Sequence, residues 1–233
     1  MFSVPPLTPF VKKLLIALFA AFVIELLLQR FAGVPVLALL ALDPVHLSPL
    51  TIAQLVTYVF VEEPRALTSM LIGLFFMWLI LSPFESTFGA RHTFELAIAG
   101  TLGASVLVVL VALFAPTPFP LFGSFPIAYA GMAAMTQVMR GGKMMFFGVL
   151  PMTSRQLMYV LVGLSVLQYL ISSDLTALVA SLGSMIAGGG YVRYMARPRR
   201  PTPPKRPGAA RFRVLRGGGG NGDGDGDRPK WLN

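Results

Sequence analysis

The sequence predicts an all-α membrane protein, a bundle of six membrane-spanning helices with both termini in the cytoplasm. Its composition and its long apolar runs support this prediction. Of the 233 residues, 55% are hydrophobic and only 12% are charged, whereas a soluble domain carries about a quarter charged residues. Several apolar runs approach the length of about 18 residues at which a helix becomes a candidate membrane span. The chain has no cysteine, which excludes disulfides, thiol nucleophiles and cysteine-ligated metals.

The six predicted spans follow the apolar stretches of the chain. They cover residues 12–28, 66–83, 94–114, 125–139, 156–171 and 175–194. The first is not interpreted as a cleaved signal peptide, because its apolar run is too long and no small-residue cleavage site follows Leu28 cleanly. The apolar loop between the first two spans contains Pro35, Pro44 and Pro49. These prolines argue against a seventh spanning helix there.

Basic residues are distributed unevenly enough to predict the orientation of the spans. Seventeen of the nineteen lysines and arginines fall on one side, and only Arg30 and Arg65 fall on the other. Because basic loops stay in the cytoplasm, both termini are predicted to be cytoplasmic. We expect a multi-pass protein of a bacterial inner membrane. The net charge of +9 is then a topology signal and a contact with lipid headgroups. Nucleic-acid binding is not expected, because no recognisable module is present.

The chain is predicted to divide into a membrane domain at 1–196 and a cytoplasmic tail at 197–233. The tail is rich in Pro, Arg and Gly and buries too little apolar surface to fold, so we expect it to be disordered. Its Gly-Asp alternation at 222–227 lacks the closing glutamate of a calcium loop. Only two histidines are present, His46 and His92, and they are far apart. No metal or other cofactor is therefore expected.

Three short segments carry a family resemblance. Segment 85–91 reads Glu-Ser-Thr-Phe-Gly-Ala-Arg, segment 123–130 reads Gly-Ser-Phe-Pro-Ile-Ala-Tyr-Ala, and segment 180–184 reads Ala-Ser-Leu-Gly-Ser. In this order they resemble three motifs of rhomboid intramembrane proteases. These are the Glu-x-x-x-Gly turn after the second helix, Gly-x-Ser-Gly-Ala-Ile-Phe-Gly in the fourth, and Ala-His-x-Gly-Gly in the sixth. The resemblance covers about 12–194 and implies structural roles for Glu85 and Gly89.

The resemblance also implies that catalysis is lost. Phe125 stands where the family has its nucleophilic serine, and Ser181 stands where it has the base histidine. Ser69 and Gly73 replace the His-x-x-x-Asn pair that forms the oxyanion hole. A serine hydroxyl needs an adjacent general base, and a tetrahedral intermediate needs donors for its oxyanion. The resemblance thus implies a pseudoprotease, as inferred for Derlins and inactive rhomboids. Such a protein binds or steers the transmembrane segments of client membrane proteins without cleaving them.

Two other functions stay open. The first is an intramembrane serine endopeptidase with a non-standard catalytic set, in which Ser124 would be the nucleophile. That serine is one residue away from the expected position, and a helix turns about 100° per residue. No histidine lies in the fifth or sixth span, and between Lys13 and Lys143 there is no lysine for a Ser-Lys dyad. The second, a transporter or channel component, is disfavoured because the spans contain few polar residues to line a pathway.

Small residues form a ridge on the predicted sixth span. They are Ala180, Gly183, Ser184, Ala187 and Gly188, at i, i+3, i+4, i+7 and i+8. Small residues let membrane helices approach closely, so we expect the ridge, with Gly183 and Ala187 as structural positions, to pack on the fourth helix around Ala130. Contact with a foreign helix is the alternative. Glu25 lies inside the first span, where it is either interfacial or has a proton or substrate role.

Overall fold

The described residues form a helical bundle with one short β-ribbon. The computed structural model describes residues 5–46, 48–63, 67–115, 119–138, 143–146 and 150–196. The predicted disordered tail at 197–233 lies outside the described residues. The helices are α1 (Pro9–Leu27), α2 (Val36–Leu40), α3 (Thr51–Thr57), α4 (Leu67–Phe88), α5 (Ala90–Ala112), α6 (Phe125–Val138), α7 (Ser154–Ser172) and α8 (Leu175–Met195).

Shorter elements join or extend these helices. A π-helical turn, Leu28–Ala32, continues α1, and a 3-10 turn, Tyr58–Phe60, continues α3. Strands β1 (Lys143–Phe146) and β2 (Leu150–Thr153) form an antiparallel ribbon between α6 and α7. The predicted all-α class is confirmed apart from this ribbon. The apolar loop after α1 contains only the short helices α2 and α3 and the two turns, so it holds no seventh spanning helix in its described part.

Three helices among the described residues are long and apolar enough to cross a membrane. They are α4, α5 and α8, which coincide with the second, third and sixth predicted spans. Helix α1 carries Lys12, Lys13 and Glu25, α6 has 14 residues, and the described part of α7 is a shorter apolar helix. The arrangement of six spans and the cytoplasmic location of both termini therefore stay predictions.

Local sequence sets the ends of the helices. Thr153 and Gln156 form a capping box at the start of α7, which satisfies backbone amides that have no partner in the helix. Helix α7 ends at Ser173, whose φ of 56° is left-handed. The carboxylate of Asp174 then accepts a 3.0 Å hydrogen bond from the Ala177 amide and begins α8. These caps place the two helices side by side after a turn of two residues.

Helix α4 turns into α5 at Gly89. Its φ is +85°, a conformation that glycine adopts at little cost. The Gly89 amide donates a 2.7 Å hydrogen bond to the Glu85 carbonyl, and the Thr93 amide donates a 3.2 Å bond to the Gly89 carbonyl. The Glu-x-x-x-Gly segment noted in the sequence is therefore a tight helix–helix turn. It leaves the Glu85 side chain beside the start of α1.

Helix α8 packs closely on both α5 and α6, and small residues permit this. A Cβ added at Gly183 would collide with the Gly103 carbonyl oxygen of α5 and lie 2.9 Å from the Leu107 Cβ. One added at Gly188 would collide with the Ala130 carbonyl of α6 and lie 2.7 Å from the Ala130 Cα. Such distances leave no room for a side chain at either position.

The prediction that Gly183 packs against α6 near Ala130 is wrong. The α6 contact belongs to Gly188, whereas Gly183 and Ala187 lie against α5 around Gly103. Gly188 lies five positions after Gly183, which turns the two glycines about 140° apart around the helix axis at about 100° per residue. The ridge is therefore two packing surfaces on one helix. Cysteines at Ala130 and Gly183 are accordingly not expected to crosslink.

Candidate functional site

Two of the positions singled out by the resemblance lie together. The ring of Phe125, the first residue of α6, packs on Gly73 in the second turn of α4. A Cβ added at Gly73 would lie 3.4 Å from the Phe125 Cζ and 3.6 Å from its Cε1. The ring therefore covers the backbone at the position that would carry part of an oxyanion hole. No hydroxyl or amide side chain is present at either residue to take part in acyl transfer.

Phe125 also lines a groove between α6 and α7, with a volume of about 360 Å³. Its lining residues are Phe125, Tyr129, Leu164, Leu167, Gln168, Ile171 and Ser172. Most of this lining is apolar, with polar groups near the end of α7. A second groove, between α1 and α4, has a volume of about 330 Å³ and is lined by apolar side chains and by Trp78. Neither groove contains a nucleophile with a base.

The other two positions singled out by the resemblance, Ser181 and Ser69, contribute no catalytic group. Ser181 is buried in α8, and its hydroxyl donates a 2.8 Å hydrogen bond to the Leu178 carbonyl of the same helix. Ser69 is exposed in the first turn of α4. His46 Nδ1 lies 2.9 Å from an Asp43 carboxylate oxygen, and His92 Nδ1 lies 2.9 Å from the Tyr191 hydroxyl. The two imidazoles are thus engaged away from the groove.

Ser124, the nucleophile of the alternative hypothesis, bonds to a glutamate that sequence reasoning missed. Its hydroxyl and its amide each donate a 3.0 Å hydrogen bond to Glu62 Oε1. Glu62 lies between the 3-10 turn and α4, and burial raises the pKa of its carboxyl above the usual range. Both side chains are almost inaccessible, Ser124 at 4% and Glu62 at 8%. The pair resembles a cap at the start of α6 more than an exposed nucleophile with its base.

Glu62 is in turn hydrogen-bonded to the Glu25 side chain through its backbone amide. The Glu62 amide donates a 3.1 Å hydrogen bond to Glu25 Oε2. Glu25 Oε1 is buried and has no hydrogen-bond partner in the described part of the chain. The sequence left Glu25 with either an interfacial or a proton-related position. The structure buries it against the segment that precedes α4. The signal that could have identified Glu62 is a carboxylate that directly follows the apolar run 58–61.

Glu85 caps the first turn of α1. Its two carboxylate oxygens accept 2.9 Å hydrogen bonds from the amides of Phe10 and Val11, and Oε2 also accepts one from the Thr8 hydroxyl. The amides at a helix start have no partner within the helix, and its dipole favours a negative charge there. The structure thus places Glu85 and Gly89 in one turn that ties α1, α4 and α5 together.

A further polar cluster joins the start of α5 to the end of α8. The Tyr191 hydroxyl donates a 2.6 Å hydrogen bond to Glu95 Oε2, and Arg91 Nε donates a 2.8 Å bond to Glu95 Oε1. His92 lies in the same cluster. Within the described residues, no three His, Cys, Asp or Glu side chains lie close enough together to hold a metal ion.

The fold and the site together define a helical integral membrane protein whose buried polar groups cap helices and tie them together. The chain belongs to the family described as "Eukaryotic integral membrane protein (DUF1751)", whose family model matches residues 12–217. No curated protein matches the chain. That description does not connect the family with rhomboids.

The family corrects the expected location. The integral membrane class is confirmed, but the expectation of a bacterial inner membrane is wrong, because the family is eukaryotic. The physical reason is that the apolar length and loop charge of a span carry little information about the organism. Biological bilayers differ in thickness by only a few ångströms, and the charge rule gives orientation relative to the cytoplasm in either case.

Proposed function

We propose that the chain is a rhomboid-like, non-catalytic membrane protein that holds transmembrane helices of client proteins in the groove between α6 and α7. The observation that carries the proposal is the Phe125 ring packed on Gly73 and lining that groove. An aromatic ring at this point supplies contact area where a protease would need a hydroxyl. The described surroundings offer no general base for chemistry at Phe125.

The exposed surface of α7 supports helix binding. Among the residues of this helix whose burial is described, 156–172, Leu157, Leu161 and Ser165 are the buried ones, and they form a single stripe at i, i+4 and i+8. Leu167 and Ile171 line the groove and are about half and four-fifths exposed. A membrane helix gains little from burying such residues against another helix unless packing or hydrogen bonds contribute. The side-chain amide of Gln168 in the groove lining supplies such a bond. The Ser172 hydroxyl already donates a 2.9 Å hydrogen bond to the Gln168 carbonyl, and the Tyr129 hydroxyl is bonded to Ser165.

Photocrosslinking tests the proposal. A photoreactive side chain at Ile171, in the groove, is expected to crosslink to a synthetic single-span leucine-alanine peptide in nanodiscs. Ile186 on α8 is the matched control, because it is also an exposed isoleucine, at 70% against 79%, and does not line the groove. We expect Leu164→Trp to fill the groove and weaken capture about tenfold, equivalent to about 1.4 kcal/mol. Equal capture at both positions would contradict the proposal.

The enzyme alternative has one observation in its favour, the hydrogen bond from the Ser124 hydroxyl to Glu62. We nevertheless expect no labelling of the protein in detergent by a fluorophosphonate probe, because that hydroxyl is buried. We also expect Phe125→Ser combined with Ser181→His to stay unlabelled, because the exposed Ser69 and the bare Gly73 leave an oxyanion without donors. An active serine protease in the same detergent is the control. Labelling that disappears in Ser124→Ala would establish the enzyme reading instead.

The proposal includes six spans with both termini in the cytoplasm, because seventeen of the nineteen basic residues then lie on one side. A reporter that is active only in the cytoplasm is expected to give signal after Asn233 and near Lys143. The same reporter is expected to be silent near Pro118 and near Ser173. A cytoplasmic signal near Pro118 would contradict the six-span arrangement and remove much of the support for a rhomboid-like fold.

A further inference from the structure

Two buried carboxyl groups lie close together between the end of α1 and the segment that precedes α6. Glu25, near the end of α1, is 3% exposed, and Glu62, five residues before α4, is 8% exposed. The Glu62 amide donates to Glu25 Oε2 at 3.1 Å. Glu25 Oε1 has no partner among the described residues. A buried carboxylate oxygen left without a donor is expensive when ionised.

No cation offsets the two acids within the described part of the chain. The groups that face Glu62 are Glu25 from α1 and Ser124 and Gly123 from the segment before α6. From the 3-10 turn, Tyr58 presents its carbonyl to the Gly123 amide and sends its hydroxyl to Thr101 of α5. The neighbouring Glu63 is exposed. Two acids in such a site cannot both ionise without a large penalty.

We propose that Glu25 and Glu62 form a proton-binding pair that controls the groove between α6 and α7 through Ser124. The Glu62 carboxylate accepts both hydrogen bonds from Ser124, just before α6. The next residue is Phe125, whose ring covers Gly73 and lines the groove. With a proton on the pair, the segment before α6 is held as the structure shows it. With both carboxyls ionised, their repulsion displaces this segment and moves the Phe125 ring.

The sign of the pH dependence follows from burial. Burial raises the pKa of the Glu62 carboxyl above its value in the unfolded chain. The folded protein therefore binds more protons than the unfolded chain between those two pKa values. The contribution to stability is fully present below the unfolded pKa, and it is lost as the pH rises through the folded one. The inference rests on the proposed function only for the role of the groove, and the protein alone suffices to test it.

The experiment uses the full chain in nanodiscs without any client. The variant Ile171→Cys places a single cysteine in an otherwise cysteine-free sequence. A trifluoromethyl tag attached to that cysteine gives a ¹⁹F spectrum that reports on the groove. The spectrum and the thermal unfolding midpoint are measured between about pH 5 and pH 8. We expect two ¹⁹F signals from the tag in the groove, whose relative intensities change with pH. We also expect the thermal unfolding midpoint to fall as the pH rises. The pair titrates as a unit with macroscopic steps.

Single substitutions show which side chains cause the pH response. We expect Glu62→Gln and Glu25→Gln each to remove one titration step, and Ser124→Ala to keep the midpoint titration while weakening the ¹⁹F response. If one glutamine variant does not fold, the other still gives the test. Glu63→Gln, at the exposed neighbour, is expected to titrate like the parent. A parent without a pH response, or a response lost in His92→Gln and kept in both glutamate variants, overturns the proposal. A groove signal that follows calcium at fixed pH, without a pH response, also overturns it.

Discussion

Alanine at Gly188 is expected to lower the free energy of unfolding by about 2–3 kcal/mol, the upper part of the range for overpacking. The added Cβ would meet the Ala130 carbonyl oxygen and lie 2.7 Å from its Cα and 2.8 Å from its carbonyl carbon. These are backbone atoms, so no side-chain rotation can relieve the collision. Helices α6 and α8 must separate, and dispersion contacts around Gly188 are lost with them. Thermal and denaturant unfolding of the purified protein measure the effect.

Gly190→Ala is the matched control, because it lies on the same helix two residues away. An added Cβ at Gly190 meets nothing within 4 Å. The helix propensity of alanine exceeds that of glycine by up to about 1 kcal/mol, so this variant is expected to be neutral or slightly stabilising. The same propensity gain applies at Gly188 and is already included in the expected net loss. Equal stability of the two variants would show that α6 and α8 do not pack this closely.

Glu85→Ala is expected to destabilise the protein by about 2–4 kcal/mol, since hydrogen bonds to a charged group and a helix cap are both removed. The substitution leaves the Phe10 and Val11 amides and the Thr8 hydroxyl without their acceptor. The site is buried, with Glu85 only 6% exposed, so water replaces the carboxylate poorly. Glu85→Gln keeps an acceptor but loses the charge at the helix start, and a smaller loss is expected.

Glu63→Ala provides the control for this prediction, because the same side chain is removed from an exposed position. It is expected to change stability by less than about 0.5 kcal/mol. Hydrogen exchange adds a local measurement: the amides of Phe10 and Val11 should exchange faster in Glu85→Ala, while those in the middle of α5 keep their protection. A stability loss with unchanged exchange at these two amides would mean that Glu85 acts elsewhere than at the start of α1.

The sequence alone predicted the helical membrane class and the three longest apolar helices. Spans predicted at 66–83, 94–114 and 175–194 correspond to α4, α5 and α8. Their signal is local, because a long apolar run carries the information in its own composition. Helix α4 nevertheless continues five residues past Pro83, beyond the apolar run. That extension carries Glu85 to the start of α1, which no local pattern indicates.

The candidate site was predictable only in part. The unusual residues at Phe125, Gly73 and Ser181 are visible in the sequence, and so is the lack of a base near them. The contact between Phe125 and Gly73 joins α6 to α4 across 52 positions, and the bond between Ser124 and Glu62 spans 62. Such pairings depend on how helices assemble. A glutamate in a loop reads as a solvated charge until its partner is known.

The composition and the distribution of basic residues along the chain thus determined that this is a helical membrane protein, and they indicated an orientation for its spans. They did not determine the kind of membrane, because bilayers of different origin present nearly the same apolar thickness. Only the tertiary structure decided which face of α8 meets which helix and which buried carboxyl caps which helix start. Gly183 and Gly188 are the same residue type, so the sequence gives no reason to assign them different partners. Their partners differ because the helix turns by about 100° per residue, and the packing of α5 and α6 selects the face that each helix meets.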